Sequence, residues 1–277
     1  LPLDGRFNLP GNRQGAGVTI YVVDGGVLTE HVDFGGRATA GPDFSGAVPF
    51  RSCSQRIPSH GTHTAGLAAS RTYGVAKQAK VVDVRVLGCD GKTTRERMED
   101  ALRWVAANAV KPAVVSMSVG SSDPKDEVDE AAQALIDAGI PLILSAGNEE
   151  IDACRHYPSN VRDAIVVGAS SSHDVLAPFS NTGPCVDVVA PGWEVVSTYA
   201  RRNDASGAFY GTSQAAPLVA GAAALFLERY PNATPSEVED AIVGTATEGV
   251  LKSANRDAAL PGGTPNRLLN VRRLLEL

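Results

Sequence analysis

Gly211-Thr212-Ser213-Gln214-Ala215-Ala216-Pro217 opens a small apolar run that continues from Ala215 to Leu227, and its reading decides the fold. A polar, glycine-bearing stretch, Ser206-Gly207-Ala208-Phe209-Tyr210, precedes it. A run this long and this uniformly small predicts a buried helix. Ser213 then lies at the helix N-terminus. Pro217 is expected within the first turn, where a missing N–H costs little. Free backbone donors and the positive end of a helix dipole would stabilise negative charge developing near the serine hydroxyl. A serine there can equally be a plain helix cap, so the rest of the chain has to separate the two uses.

With 277 residues the chain can bury a large core, and no shift in composition divides it, so residues 1–277 read as a single domain. Aromatic residues are few, and Ala, Val and Gly are many, which suits short parallel strands under close-packed helices. The net charge of −6, with no basic run, argues against nucleic acid as a partner. The longest apolar stretch stops at Glu228 and is too short to span a bilayer, so no membrane partner is expected. Leu1-Pro2-Leu3-Asp4 lacks the basic segment of a signal peptide and reads as the start of a processed chain. Cys53, Cys89, Cys154 and Cys185 show no C-x-x-C spacing, which argues against zinc. Two disulfides in an oxidising compartment fit better, with three connectivities open.

Residues 1–16, rich in Pro, Gly and Asn, read as a surface arm. Gly17–Val23 is a β-branched run, a buried strand ending at Asp24-Gly25-Gly26. Residues 35–59 read as loop. Ser59-His60-Gly61-Thr62-His63-Thr64 leads into a small-residue helix through Ala69. Its two histidines lack the H-E-x-x-H pattern of a zinc site. Ala79–Leu87, Ala113–Val119, Pro141–Ala146, Ala164–Gly168 and Val186–Val189 are further strands. Thr93–Val110, Glu127–Ala138 and Pro235–Thr245 are helices, the last opened by Thr234 as cap and Pro235 as first residue. This β-α-β-α alternation predicts an α/β fold, a central mostly parallel sheet with helices on both faces.

Open sheets of this kind carry their sites at the C-terminal ends of strands. Asp24 and Asn148 fall there, His60 at the start of its helix, and Ser213 at the start of the long one. The chain order Asp, His, Ser differs from the Ser, acid, His order of α/β-hydrolases, and Gly211–Ala215 is not G-x-S-x-G.

Val23-Asp24-Gly25-Gly26, His60-Gly61-Thr62-His63-Thr64-Ala65-Gly66, Ser145-Ala146-Gly147-Asn148 and Gly211–Pro217 together resemble the subtilisin-like serine proteases. The likeness is to the proteinase K branch and, within it, to aqualysin-type secreted bacterial enzymes. Tyr73–Lys77, Val84–Leu87, Phe179-Ser180-Asn181 and Pro265–Leu269 extend it over nearly the whole chain. The resemblance implies a secreted, monomeric serine endopeptidase with a subtilisin-like three-layer fold. It would work through an acyl-enzyme and prefer apolar or aromatic P1 residues of protein or peptide substrates. A pro-segment would act as inhibitor and chaperone before maturation. Asp24, His60 and Ser213 would be the triad, the Asn148 side chain and Ser213 N–H the oxyanion hole, and His63 structural. Ser118-Val119-Gly120 and Ser145-Ala146-Gly147 would wall the P1 pocket, with His156 at its floor where relatives place a tyrosine. Gly91-Lys92-Thr93 would pair with the extended substrate.

The same resemblance, together with cysteines standing near shared sheet edges, implies Cys53–Cys89 and Cys154–Cys185 bridges. It also implies a structural calcium ion on the Asp187 carboxylate and the carbonyls of Arg162 and Ala164. Three departures stand out. Gly25 replaces the usual Ser or Thr, removing a hydroxyl beside Asp24. Gln214 replaces the Met that usually follows the nucleophile. Lys92, Arg95 and Arg97 replace small residues at the substrate edge. These cations would favour acidic P2–P4 residues, unless they point to solvent from the first turn of the next helix. The alternative function is a weakly active subtilisin-like scaffold that binds proteins.

Overall fold

The computed structural model describes residues 12–50, 53, 56–124, 128–253 and 259–277. Residues 1–11 of the expected arm, and Glu127 of the third expected helix, lie outside them. The strands are β1 (Thr19–Asp24), β2 (Ala38–Asp43), β3 (Lys80–Arg85), β4 (Ala113–Met117), β5 (Leu142–Ser145), β6 (Ile165–Ser170), β7 (Val188–Pro191), β8 (Val195–Thr198), β9 (Ser206–Phe209), β10 (Thr247–Glu248) and β11 (Arg267–Leu268). The helices are α1 (Arg56–Ala69), α2 (Arg95–Asn108), α3 (Asp129–Asp137), α4 (Thr212–Arg229), α5 (Pro235–Thr245) and α6 (Val271–Leu275).

The main sheet runs β10-β11-β7-β6-β5-β4-β1-β3-β2, and only β10 is antiparallel to its neighbour. β1 is flanked by β3 on one side and β4 on the other, both parallel. The chain order reverses at β1, and the loop ends there diverge to leave a crevice. Asp24 is the last residue of that strand.

Alternation along β1 explains the two apolar layers. Ile20 and Val22 face one layer with Ala65, Ala68 and most of α4. Tyr21 and Val23 face the other with Met98, Leu102 and Val105 of α2 and Leu135 of α3. Every α4 residue from Thr212 to Leu227 is buried except Leu218. Small residues permit this: a Cβ on Gly221 would stand 2.7 Å from the Val75 side chain and 2.9 Å from the Ala68 carbonyl.

The structure differs from the sequence reading in four places. Pro217 is the sixth residue of α4, not in its first turn, so it leaves the Ser213 carbonyl without its helical partner. That carbonyl accepts the Ser118 hydroxyl instead, at 3.2 Å. α1 begins at Arg56, which puts His60 inside the helix. β2 lies within the expected loop, as an edge strand carrying Gly41 and Pro42 and little apolar alternation. β8 and β9 form a separate antiparallel hairpin.

Both expected disulfides form, Cys53–Cys89 and Cys154–Cys185. Buried Arg85 reaches beneath the first, donating to Asp43 Oδ2 at 2.9 Å, the Val48 carbonyl at 3.0 Å and Cys53 Sγ at 3.0 Å. Among the described residues no helix is long and apolar enough to cross a membrane.

Candidate active site

Asp24 is fully buried and its carboxylate faces His60 Nδ1, at 2.8 Å from Oδ1 and 3.0 Å from Oδ2. This pairing directs Nδ1–H to the carboxylate and leaves Nε2 as the basic nitrogen. The Gly25 N–H donates to Oδ1 at 2.5 Å, and the Thr64 hydroxyl to Oδ2 at 3.2 Å. Thr64, four residues after His60, shares its helical face. It supplies a hydroxyl to the carboxylate that Gly25 cannot. A side chain at Gly25 has no room, because its Cβ would lie 2.7 Å from Ile57 Cγ2 and 2.8 Å from the Ile57 carbonyl.

His63 is buried, one turn on. Its Nε2 meets the Val195 carbonyl at 3.0 Å and that of Gly207 at 3.1 Å. Burial pushes its imidazole down to about 4, so it stays neutral and ties α1 to the β8–β9 hairpin. Ser197 and Thr198 add hydroxyl bonds to the His63 and Thr62 carbonyls.

Ser213 is the second residue of α4 and nearly buried. It exchanges hydrogen bonds with Ser118 at the exit of β4: its own hydroxyl donates to the Ser118 carbonyl at 3.4 Å, reciprocating the bond to its carbonyl. Asn148 follows β5. Its Oδ1 accepts the Thr212 N–H at 2.8 Å and hydroxyl at 3.1 Å, which leaves the Nδ2 donors to face the other way. Buried Asn181 fixes the loop beneath, bonding Glu149 N–H, Ile151 N–H and the Ala146 carbonyl.

One cleft of about 320 Å³ gathers His60, Ser213, Asn148, Gly91, Ser118, Val119, Gly120, Ser145, Gly147 and His156. His156 Nδ1 lies 2.9 Å from the Ser159 hydroxyl, which itself donates to the Ser145 carbonyl. The Ser159 oxygen therefore accepts, and His156 carries its proton on Nδ1. Burial holds His156 below its ordinary value, with Glu149 acting in the opposite sense. Its ring fills the space that side chains at Gly120 and Gly147 would need: their Cβ atoms would fall 2.3 and 2.7 Å from it.

Ala146 lies buried behind the cleft, and Lys92 and Thr93 do not line it. Arg95 sits in the first turn of α2 with Nε 2.6 Å from Glu99 Oε1, and a Cβ on Gly46 would be 3.1 Å from Arg97 Nη2. Arg95 and Arg97 thus follow the helix rather than the cleft. The sequence reading also missed Ile57, Leu87, Phe209 and Tyr210, which line the cleft. Phe209 and Tyr210 directly precede the Gly211–Pro217 signature, a proximity that was readable.

Asp187 borders a separate cavity of about 260 Å³ together with Arg162 and Ala164. Its Oδ2 accepts the Val166 N–H at 2.8 Å, and burial pushes its carboxyl up to about 6. Glu239 is raised to about 7 by burial, then by Asp187, Asp240 and Asp163. Among the described residues no three His, Cys, Asp or Glu side chains converge on a point. Arg267 is the charged group that acts on Asp187, in the sense opposite to burial. A half-buried carboxylate bordering the same cavity as Arg162 and Ala164 is chemistry that fits a hard cation.

The subtilase family profile matches residues 15–264, and the chain belongs to that family of serine peptidases. It is similar to an extracellular serine proteinase of Thermus sp. (strain Rt41A), 44% identical over 256 residues, 92% of this chain and 61% of the relative. An alkaline serine exoprotease A of Vibrio alginolyticus is 39% identical over 269 residues, 97% of this chain and 48% of the relative. The chain thus spans roughly half to three fifths of these curated relatives. Among solved structures it resembles a cold-adapted subtilisin-like serine proteinase, with TM-score 0.87 and 38% identity, covering 98% of this chain and 94% of that one.

Proposed function

We propose that the chain is the catalytic domain of a secreted serine endopeptidase. One observation carries the reading: a buried carboxylate holds His60 by Nδ1 in the same cleft as a serine at a helix N-terminus. In this reading Ser213 Oγ attacks the scissile carbonyl while His60 Nε2 takes its proton. Asp24 keeps the required tautomer and stabilises the imidazolium. Asn148 Nδ2 and the Ser213 N–H receive the oxyanion. His60 then passes the proton to the leaving amine, and water releases the acyl-enzyme by the same steps in reverse.

The P1 side chain enters between Ser118–Gly120 and Ser145–Gly147 above His156. Val119 and Leu87 give this part of the cleft an apolar component, and the glycines at 120 and 147 keep it open, which supports apolar or aromatic P1 residues. Gly91-Lys92-Thr93 supplies the edge for the substrate backbone. The name of the Thermus relative supports an extracellular location. The substrates are proteins or peptides, and a pro-segment is the expected partner before maturation.

Asp187 with the carbonyls of Arg162 and Ala164 would hold calcium. Bound there, the ion would neutralise a half-buried carboxylate and join the segment before β6 to the segment before β7, adding stability and taking no part in the reaction. Chelation should then lower the unfolding temperature; a temperature insensitive to chelator and to added calcium would refute the site.

The deciding experiment is labelling with a fluorophosphonate. Wild-type protein should label stoichiometrically and Ser213→Ala not at all. A wild-type protein that stays unlabelled, or labelling that survives Ser213→Ala, would refute the peptidase reading.

A further inference from the structure

The cleft has a second polar feature that the reaction above does not use. Gln214 is buried, lines the cleft, and neither atom of its amide has a hydrogen-bond partner among the described residues. Its Oε1 lies 3.0 Å from where a Cβ on Gly211 would stand, so the amide sits against the Tyr210–Gly211 backbone. A buried amide with both ends unmet is costly unless a ligand satisfies it. A peptide main chain offers the matching N–H and C=O.

From this point an aromatic row runs outward. Phe209 lies 6.3 Å from the His60 ring. Tyr210 follows it in the chain, Trp193 lies 5.7 Å from Tyr210, and Phe179 stacks on Trp193 at 5.5 Å with planes 13° apart. Phe179 is anchored against the apolar core, whereas Trp193 and Tyr210 are 37% and 55% exposed. His60 hands its proton to the leaving amine, so the leaving half of the substrate passes over His60 toward this row. Alternate side chains of an extended peptide stand about 7 Å apart on one face, close to the spacing of these rings.

Glu194 brings a carboxylate to the row: the Tyr210 hydroxyl donates to its Oε1 at 3.1 Å. Glu194 holds a left-handed backbone, φ 55°, which few side chains adopt without support.

We propose that the leaving-group side of the cleft is a subsite for a long basic side chain, arginine foremost. The Gln214 amide engages the substrate main chain, and the arginine side chain lies on Trp193 with its charge met by Glu194. The proposal rests on the peptidase reading. A guanidinium suits both halves of the site: it stacks on an indole face, and it pairs with a carboxylate. An aliphatic side chain gains only the stacking, and an acidic one is repelled.

The test uses internally quenched peptides with one acyl half and Arg, norleucine or Glu placed in turn at P1′ to P4′. A p-nitroanilide of the same acyl half, which has no leaving-side residues, serves as reference. Arg should exceed norleucine in kcat/KM by about fivefold at a position between P2′ and P4′, with Glu lowest, as an exposed cation–aromatic contact plus an ion pair would give. Trp193→Ala should lower the ratio of Arg-peptide to anilide turnover by about fivefold. Glu194→Gln, and raised salt, should bring the Arg-to-norleucine preference toward one. Equal rates for Arg and norleucine at all four positions would overturn the subsite. So would a parallel fall of peptide and anilide turnover in Trp193→Ala. An enzyme that cleaves neither substrate would overturn the peptidase reading and the subsite with it.

Discussion

Asp83→Asn should stabilise the protein above neutral pH and leave it nearly unchanged at pH 4. Asp83 lies on β3, opposite Val22 of β1 and Ala40 of β2. Its carboxyl accepts the Val27 N–H, while Oδ1 is buried without a partner. Asp24 faces it from β1, Asp43 from β2 and Arg85 from its own strand. Burial, then the two carboxylates, push Asp83 from 3.8 up to about 7, against the Val27 bond and Arg85. The folded state therefore holds this proton more tightly than the unfolded chain does. Stability is undiminished below about pH 4 and falls as pH rises, with the loss complete above about 7. At 1.36 kcal/mol for each tenfold change in proton affinity, the ceiling on that loss is about 4 kcal/mol. Asparagine keeps an acceptor for Val27 and carries no charge. Recovering even half the loss, about 2 kcal/mol, would raise Tm by about 4 °C in a chain of this size. The measurement is thermal unfolding of Asp83→Asn against its parent from pH 4 to 8.5. Both proteins carry Ser213→Ala to prevent self-digestion, and calcium is held constant. Equal Tm at pH 8.5, or a gap that does not change with pH, would refute the reasoning.

Asn148→Leu should lower kcat by roughly 10²–10³ with little change in KM, the loss known for the corresponding subtilisin residue; an unchanged kcat would remove Asn148 from the oxyanion hole. Opening Cys53–Cys89 by a double alanine substitution should cost about 4 kcal/mol, from a sequence separation of 36, read as a lower unfolding midpoint in urea. Gly25→Ser, which adds the hydroxyl expected from the family resemblance, should lower both kcat/KM and Tm, because its Cβ meets Ile57 backbone and side chain together; an active, equally stable variant would show that α1 can yield there.

Much of this was legible in the sequence because the signals were local. The β-branched runs at residues 17–23 and 113–119 and the small-residue run of α4 carry their own burial, and each polar site residue sits within two residues of such a run or on the helix that follows. What escaped depended on partners distant in sequence. Five of the six β2 residues, Thr39 to Asp43, are exposed or half-buried, and it is a strand only because β3 accepts it. Pro217 reads as a first-turn proline until the helix start is known. Thr64 looked like one polar residue among several; only the helical register places it under Asp24. Of the two placements the sequence left open for the charged edge, helix α2 beginning at Arg95 favours the one in which Arg95 and Arg97 point away from the cleft.

The paired hydroxyl–carbonyl bonds between Ser118 and Ser213, one of them to the carbonyl that Pro217 leaves free, join the proposed wall of the P1 pocket to the proposed nucleophile as a single mechanical unit. That linkage constrains how specificity can evolve. A substitution at residue 118 that enlarges the pocket removes the hydrogen bond to the Ser213 carbonyl, and so shifts the attacking oxygen in the same mutational step. Residue 156 is not coupled in this way, since His156 is held by Ser159 and by the space above Gly120 and Gly147. Adaptive walks toward new P1 residues should therefore proceed first through the floor, with changes at the wall following only after a second substitution has secured the start of α4.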